Sequence, residues 1–199
     1  MHHIYHTEGI ILGSRNFGEA GKYYYIFTRD LGMIYARAQG VRKLSSKLRY
    51  ILQDFSHVKV DLVRGRDFWR VTSASKTGKL EKLAKNPKTF RIFTNMAYLL
   101  RRLLSGEYPN EALFDDLVGG LFILESIKMN QFSDTQGKLE DVETVIVLRI
   151  LNNLGYIGSR DKWNVFVKSP FEKDLILKVA KNRGEILNEV NKALKETHL

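Results

Sequence analysis

A cluster of cationic and aromatic side chains near the start of the chain is its most informative chemical feature. Residues 15–49 contain eight Lys or Arg and only two acids, Glu19 and Asp30. The aromatic residues of the same stretch include Tyr23, Tyr24, Tyr25, Phe27 and Tyr35. Proteins that bind single-stranded nucleic acid use cations to meet phosphates and aromatic faces to stack on bases. The stretch therefore predicts a binding surface for an unpaired strand.

The candidate contacts with such a strand lie within this stretch. They are Arg15, Lys22, Tyr35, Arg37, Arg42, Lys43, Lys47 and Arg49. Successive strand residues face opposite sides of a sheet, so the tyrosines at 23–25 cannot all face outward. Tyr24 or Tyr35 is the candidate stacking platform, whereas Phe27 is expected to fill a core. Alternatively, the cationic segment at 42–49 is a solvated loop whose charge only maintains solubility.

The chain of 199 residues has a net charge of +10, and the excess is denser near the N-terminus. Residues 1–75 carry 12 basic and 6 acidic groups, and residues 76–199 carry 20 and 16. A basic surface favours polyanionic partners and makes their binding salt-dependent. The absence of cysteine excludes disulfides and cysteine-ligated zinc. No signal-peptide pattern or membrane-spanning run is present, so the expected location is the cytoplasm. A nucleic-acid-binding protein in that compartment would be expected to associate with the nucleoid.

No group of residues predicts a catalytic or metal site. His2, His3 and His6 are close in sequence, but no carboxylate or cysteine follows at the spacing of a tetrahedral site. Converging carboxylates could hold catalytic metal ions. The candidates are Asp115, Asp116, Asp134, Glu140, Asp141 and Glu143. They lie near predicted helix starts, where the helix dipole favours negative charge. We therefore expect no metal, no cofactor and no catalytic residue, and the chain has no P-loop, nucleophile elbow or dinucleotide fingerprint.

β-Strands are the elements expected to position the cationic stretch. They are predicted at residues 4–13, 22–28, 33–39, 55–63 and 68–73. Turns are predicted at 16–18 and 29–32, and a short helix is expected within 41–52. Five strands with this insertion favour a small Greek-key barrel of the oligonucleotide-binding (OB) kind. An SH3-like barrel would need the same number of strands.

After residue 75 the apolar residues recur every three to four positions, which indicates helices. Helical segments are predicted at 79–84, 89–104, 111–129, 140–154, 171–182 and 185–197. No Gly/Ser-rich linker separates the two halves, and the boundary is expected near residues 76–79. The predicted fold class is therefore α+β, with a five-stranded OB-fold barrel followed by an α-helical domain.

Six short motifs occur in a characteristic order along the chain. They are residues 7–12 (TEGIIL), 27–32 (FTRDLG), 38–43 (AQGVRK), 46–48 (SKL), 52–55 (LQDF) and 148–156 (LRILNNLGY). In their order and spacing they resemble the RecO family of bacterial recombination mediators. The resemblance extends over nearly the whole chain and is densest over residues 7–75.

The resemblance implies an OB-fold domain over residues 1–77 that binds single-stranded DNA, with double-stranded DNA as a second ligand. It also implies a helical domain over residues 78–199 that binds partners. The implied activity is annealing of single strands and, together with RecR, loading of RecA onto DNA coated by single-strand binding protein. The acidic C-terminal tail of that protein would suit an apolar groove edged by cations. Arg101, Arg102 and Arg149 are the candidates for this groove.

One family feature is missing from this sequence. Many members of the family hold zinc with four cysteines after the segment that ends here at Tyr156, but residues 158–163 contain none. No zinc module is therefore expected.

Three other functions are compatible with the residues. An RNA-directed OB protein would prefer RNA because only RNA offers a 2′-hydroxyl. A metal-dependent nuclease would cleave DNA with magnesium or manganese and would lose activity when Asp115 or Asp116 is replaced. An adaptor whose basic face binds acidic proteins would show no DNA binding even at low salt.

Overall fold

A computed structural model describes residues 3–127, 135–158 and 161–197 of the chain. The N-terminal elements are β1 (Ile4–Phe17), β2 (Gly21–Thr28), β3 (Gly32–Ala38), α1 (Leu48–Ile51), β4 (His57–Arg64) and β5 (Trp69–Lys76). A 3-10 turn at Leu83–Lys85 leads into the helical half. Its helices are α2 (Pro87–Leu103), α3 (Glu111–Ser126), α4 (Thr135–Asn153), α5 (Asp161–Lys168) and α6 (Lys173–Glu196).

The five strands form a closed barrel in the order β1-β2-β3-β5-β4. All neighbours pair antiparallel except β3 and β5, which pair parallel at Ala36–Trp69 and Arg37–Arg70. The helix α1 lies between the third and fourth strands, as the sequence predicts. This is an OB-fold barrel followed by helices. The predicted fold class is confirmed.

Strand β1 is longer than the sequence predicts. The turn expected at residues 16–18 is wrong in part, because the strand continues to Phe17. The register shifts between Ile11 and Gly13, and Gly13 has a φ of 146°. Such a bulge bends a strand, and only glycine adopts this backbone conformation readily. β1 therefore pairs with β4 at its start and with β2 at its end, and Arg15 lies on a paired strand.

The helical half differs from the prediction at three places. The segment expected at 79–84 forms only the 3-10 turn, and α5 is an additional helix. The two C-terminal helices are one, α6, which continues through Gly184. Glycine within a helix costs roughly 1 kcal/mol relative to alanine. A row of buried apolar residues at helical spacing offsets this cost on both sides of the glycine. They are Leu175, Val179, Ile186, Val190 and Ala193.

The barrel and the helices share a hydrophobic cluster. Ile10, Leu12 and Phe27 point away from the barrel interior and join the cluster formed by the helices. Phe27 is fully buried, as predicted, and its ring centroid lies 5.6 Å from that of Phe114 in α3. A barrel cut at residue 77 would expose these three side chains. Because the two halves share this cluster, the structure does not mark a boundary between them, and the division into domains at 77/78 stays a prediction.

Candidate nucleic-acid interface

One row of side chains crosses the outer face of four strands. Arg15 of β1 lies opposite Tyr23 of β2, and Tyr23 lies opposite Arg37 of β3. Arg37 in turn lies beside Arg70 of β5. Residues paired directly across neighbouring strands project from the same face of a sheet. The barrel topology thus brings three arginines and a tyrosine into one line.

Five aromatic rings pack along this row. The rings of Tyr23 and Tyr35 are stacked with centroids 4.8 Å apart and an interplanar angle of 14°. The ring centroid of Phe17 lies 4.7 Å from that of Tyr23, and the ring centroid of Phe68 lies 5.5 Å from that of Tyr23. The ring centroids of Tyr25 and Tyr35 are 5.1 Å apart. The rings come from β1, β2, β3 and the β4–β5 loop, so only the closed barrel assembles them.

Strand alternation decides which candidate ring faces outward. Tyr24 points into the barrel, is fully buried, and belongs to the interior cluster with Ile26 and Ile34. Burial raises the pKa of its hydroxyl. A side chain in this position cannot stack on a base. Tyr35 lies on the outer face and is half-buried, so the stacking prediction remains only for Tyr35.

Two guanidinium groups of the row itself lie over aromatic rings. The Arg15 guanidinium carbon is 5.3 Å from the Tyr23 centroid and 5.1 Å from that of Tyr35. The corresponding distance from Arg37 to Phe17 is 4.1 Å. A cation over a ring gains about 0.5–1 kcal/mol at an exposed site. The rings therefore hold these guanidinium groups in place on the outer face.

Two adjoining cavities open beside the row, and we call them together the outer groove. The larger has a volume of about 840 Å³. Its lining includes Arg37, Gln39, Arg64, Arg66, Phe68 and Arg70. The smaller, of about 270 Å³, is lined by residues 17–21, Arg37, Gln39, Gly40 and Lys43. Because they share Arg37 and Gln39, the cavities form one continuous groove between the β1–β2 and β4–β5 loops. OB folds bind oligonucleotides on this part of the barrel.

The remaining predicted cations lie at one end of the barrel. Lys22, Arg42 and Arg49 line a third cavity of about 570 Å³, which we call the end cavity. Lys22 faces away from the outer groove because it neighbours Tyr23 on the same strand. Lys47 is exposed in the loop before α1. The structure thus brings Arg15, Tyr35, Arg37 and Lys43 together. It places Lys22, Arg42 and Arg49 in a separate group around the end cavity.

Most cations of the row, the outer groove and the end cavity lack acidic partners within the described part of the chain. They are Arg15, Lys22, Arg37, Arg42, Lys43, Arg49, Arg66 and Arg70. Arg29 and Arg64 behave differently, since they form ion pairs with Asp115 and Glu107 of the helical half. The unpaired cations remain available to neutralise phosphates.

The three candidates for a partner groove have different environments. Arg101 and Arg102 are exposed near the end of α2. The Arg101 guanidinium carbon lies 4.2 Å from the centroid of Tyr25, so Arg101 reaches the edge of the aromatic row.

Arg149 does not reach the surface. It is buried, pairs with Asp116 at 2.8 Å, and donates a hydrogen bond from Nε to the carbonyl of Phe166 at 3.0 Å. Burial lowers the pKa of Arg149, and the charge of Asp116 opposes this effect. The predicted place of Arg149 in a partner groove is therefore corrected to a structural link between helices.

The acids considered for metal binding have other roles. Asp115 pairs with Arg29, and Asp116 pairs with Arg149. Both lie in the second turn of α3, whose start is capped by the side chain of Asn110. Their interpretation as helix-start residues is therefore wrong. His2 and Asp134 lie outside the described residues, among which no group of three potential metal ligands occurs.

Sequence reasoning missed several members of the outer groove. Phe17, Arg66, Phe68 and Arg70 were not among the candidates, although each lines it. Tyr23 could have been found from the alternation of β2, because Tyr24 and Ile26 have the character of core residues. Arg66 and Arg70 lie outside the cationic stretch. They reach Arg37 because β5 closes the barrel beside β3, a long-range pairing that no local pattern reveals.

Comparison with known proteins agrees with this architecture. Residues 1–80 match the family described as recombination protein O N terminal. The DNA repair protein RecO of Heliobacterium modesticaldum is 32% identical over 153 residues, covering 77% of this chain and 52% of the relative. RecO of Desulfitobacterium hafniense is 28% identical over the same length. RecO of Rubrobacter xylanophilus is 31% identical over 122 residues, covering 61% of this chain and 49% of the relative.

The chain is similar to the RecO family, and its first 80 residues match the N-terminal part of that family. The resemblance suggested by the six short motifs is thereby confirmed. The chain spans about half the length of the curated RecO proteins it matches. Among the helices that the structure describes, none combines the length and the apolar character needed to cross a membrane.

Proposed function

We propose that this chain is a non-catalytic mediator that binds single-stranded DNA in the outer groove and anneals complementary strands. The observation that supports this most directly is the row Arg15–Tyr23–Arg37–Arg70, with two of its arginines held over aromatic rings. These side chains would contact consecutive phosphates of a strand that follows the groove. The bases would then remain free to meet a second strand.

The rings in this proposal have a different role from the one the sequence suggests. Tyr23 and Tyr35 stack on each other, and Arg15 lies over both. Ring faces covered in this way are less available to bases. We therefore propose that the arginines bind the phosphates and that the rings orient the arginines.

Annealing requires no covalent chemistry in this scheme. Two complementary strands repel each other through their phosphates, and each cation that binds a phosphate also releases condensed counterions. Neutralising part of the charge on the strands lowers the barrier to their encounter. We therefore propose that the activity depends on charge placement and needs neither nucleotide hydrolysis nor a metal ion.

The proposed partners follow from the similarity to the RecO family. They are RecR, the acidic C-terminal tail of single-strand binding protein, and RecA as the protein loaded onto the cleared strand. The exposed Arg101 and Arg102 are candidates for binding the tail, because both lie near the end of α2 beside the exposed ring of Tyr98. Double-stranded DNA is a further proposed ligand of the same cations.

The salt dependence of binding tests the outer groove. We expect Arg15→Gln with Arg37→Gln to weaken binding of a single-stranded oligonucleotide and to flatten the slope of log affinity against log salt by about 1 to 2. The matched control is Lys178→Gln with Lys181→Gln, which removes two exposed cations from α6. The control should change the slope far less.

An unchanged slope in the arginine variant would contradict the proposal, because it would mean that the outer groove contacts no phosphate. Competition with RNA of the same sequence distinguishes the DNA and RNA alternatives. Tighter binding of the RNA would favour an RNA-directed OB protein.

A further inference from the structure

The end cavity has the chemistry of a second, separate anion site. Lys22, Arg42 and Arg49 line it together with one acid, Asp54. Three cations and one carboxylate leave an excess of positive charge in a concave space of about 570 Å³. None of these three cations forms an ion pair with another described residue.

A buried polar atom provides an independent observation at the same place. Tyr24 lines the end cavity although its side chain is fully buried in the barrel. Its hydroxyl has no hydrogen-bond partner among the described residues. A buried hydroxyl without a partner costs about 1–3 kcal/mol. A phosphate oxygen that reached this hydroxyl from the cavity would accept a hydrogen bond from it.

The end cavity and the outer groove are distinct but adjacent. They share no lining residue. Their common wall is the contact between the β1–β2 loop and the loop after β3, where the Arg42 side chain donates to the carbonyl of Gly18 at 3.4 Å. The backbone N–H of Arg42 also donates to the carbonyl of Ala20 at 2.9 Å. The contact between these two loops therefore separates the two cationic surfaces.

We infer that the end cavity binds the phosphate backbone of a second nucleic-acid strand while the outer groove holds the first. The inference rests on the proposed function and extends it by assigning a separate site to each annealing partner. Two strands held on either side of this loop contact would have a high local concentration relative to each other. They would also face cations from both sites, which would reduce their repulsion during pairing.

Strand stoichiometry tests this assignment on the full chain. Unrelated, non-complementary oligonucleotides of about eight nucleotides are short enough to occupy one site each. At low salt we expect two such strands to bind per chain, measured by sedimentation with a different dye on each strand. Lys22→Gln with Arg49→Gln should reduce this to one strand, with the affinity of the first strand kept within about twofold. Arg42 is left intact in this variant because it also holds the loop wall.

Annealing gives the second measurement. The Lys22/Arg49 variant should anneal complementary strands at least tenfold more slowly than the unaltered chain, although it binds a single strand almost equally well. The Arg15/Arg37 variant is the matched comparison, and it should lose first-strand affinity. Circular dichroism and thermal unfolding verify that both variants are folded.

Each remaining outcome has a definite meaning. Two strands bound to the Lys22/Arg49 variant, or undiminished annealing by it, would overturn the second-strand site. A loss of first-strand affinity as large as that of the Arg15/Arg37 variant would also overturn it, because both groups of cations would then serve one site. An unaltered chain that binds no strand at all would overturn the proposed function itself.

Discussion

At the scale of single residues, the outer groove depends on side chains that orient one another. Arginine side chains lose considerable rotamer freedom when they bind a phosphate. Arg15 and Arg37 are already held over rings, so part of this entropy is lost during folding and not during binding. Tyr35 therefore acts through Arg15 in our proposal, and its own contact with a base is not required.

This role for Tyr35 predicts a specific result. Tyr35→Leu removes one ring beneath Arg15, and we expect the affinity for a single strand to fall by about two- to fivefold, the equivalent of 0.5–1 kcal/mol. The loss should be equal for a normal oligonucleotide and for one that lacks its bases, when both are measured by fluorescence anisotropy. Tyr35→Phe retains the ring and should bind like the unaltered chain. A loss confined to the base-containing strand would show that Tyr35 stacks on a base.

At the scale of elements, the turn between β2 and β3 joins the barrel to the helices. Gly32 has a φ of 73°, and a Cβ at this position would lie 2.4 Å from the carbonyl oxygen of Tyr108 in the α2–α3 loop. The adjacent backbone N–H of Met33 donates to the carbonyl of Gly106 at 3.2 Å. A side chain at residue 32 would separate the hairpin from this loop.

We therefore expect Gly32→Ala to lower the free energy of unfolding by about 2 kcal/mol or more. The left-handed backbone accounts for roughly 1–2 kcal/mol, and the displaced loop adds to it. Gly18→Ala is the matched control, because Gly18 also has a positive φ of 52° but has nothing within 4 Å of the added Cβ. Denaturant unfolding should show the larger loss at Gly32. Equal losses would mean that the α2–α3 loop adapts without cost.

The same elements show what the sequence could predict and what it could not. Strands β2 to β4 and the OB class follow from local alternation and turn residues, which depend on near neighbours in the chain. The extension of β1 depends on the bulge at Gly13, after which the strand continues beside β2 alone. The continuity of α6 through Gly184 depends on packing against α4. Likewise, Arg70 joins Arg37 only because the barrel closes.

At the scale of the whole molecule, the helices cover one part of β2 and leave another open. Phe27, near the end of the strand, packs on α3, whereas Tyr23, near its start, lies in the aromatic row. All residues that line the outer groove come from the barrel, so the helical half does not close it. The helices can therefore support the barrel and bind partners while a strand occupies the groove.

The junction between the barrel and the helices contains a buried histidine that should make stability depend on pH. His57 of β4 has a fully buried side chain, with Nε2 3.3 Å from a carboxylate oxygen of Glu8 and its ring 6.0 Å from that of Phe114. Burial lowers the pKa of His57 below its ordinary value of 6.5, and Lys79 and Lys59 act in the same direction, while Glu8 opposes them.

Because this pKa is lower in the folded state, the unfolded chain binds the proton more readily. The contribution of His57 to the free energy of unfolding is therefore complete above pH 6.5. It decreases as the pH falls from there towards the folded pKa, by at most about 1.4 kcal/mol per pH unit for one proton. Thermal unfolding between pH 7.5 and 5.5 should therefore show a falling midpoint. His57→Gln removes the titrating group and should flatten this dependence, whatever its effect on the midpoint at pH 7.5. Parallel curves for the two proteins would mean that His57 binds its proton equally well in both states, and that the junction does not respond to pH through this residue.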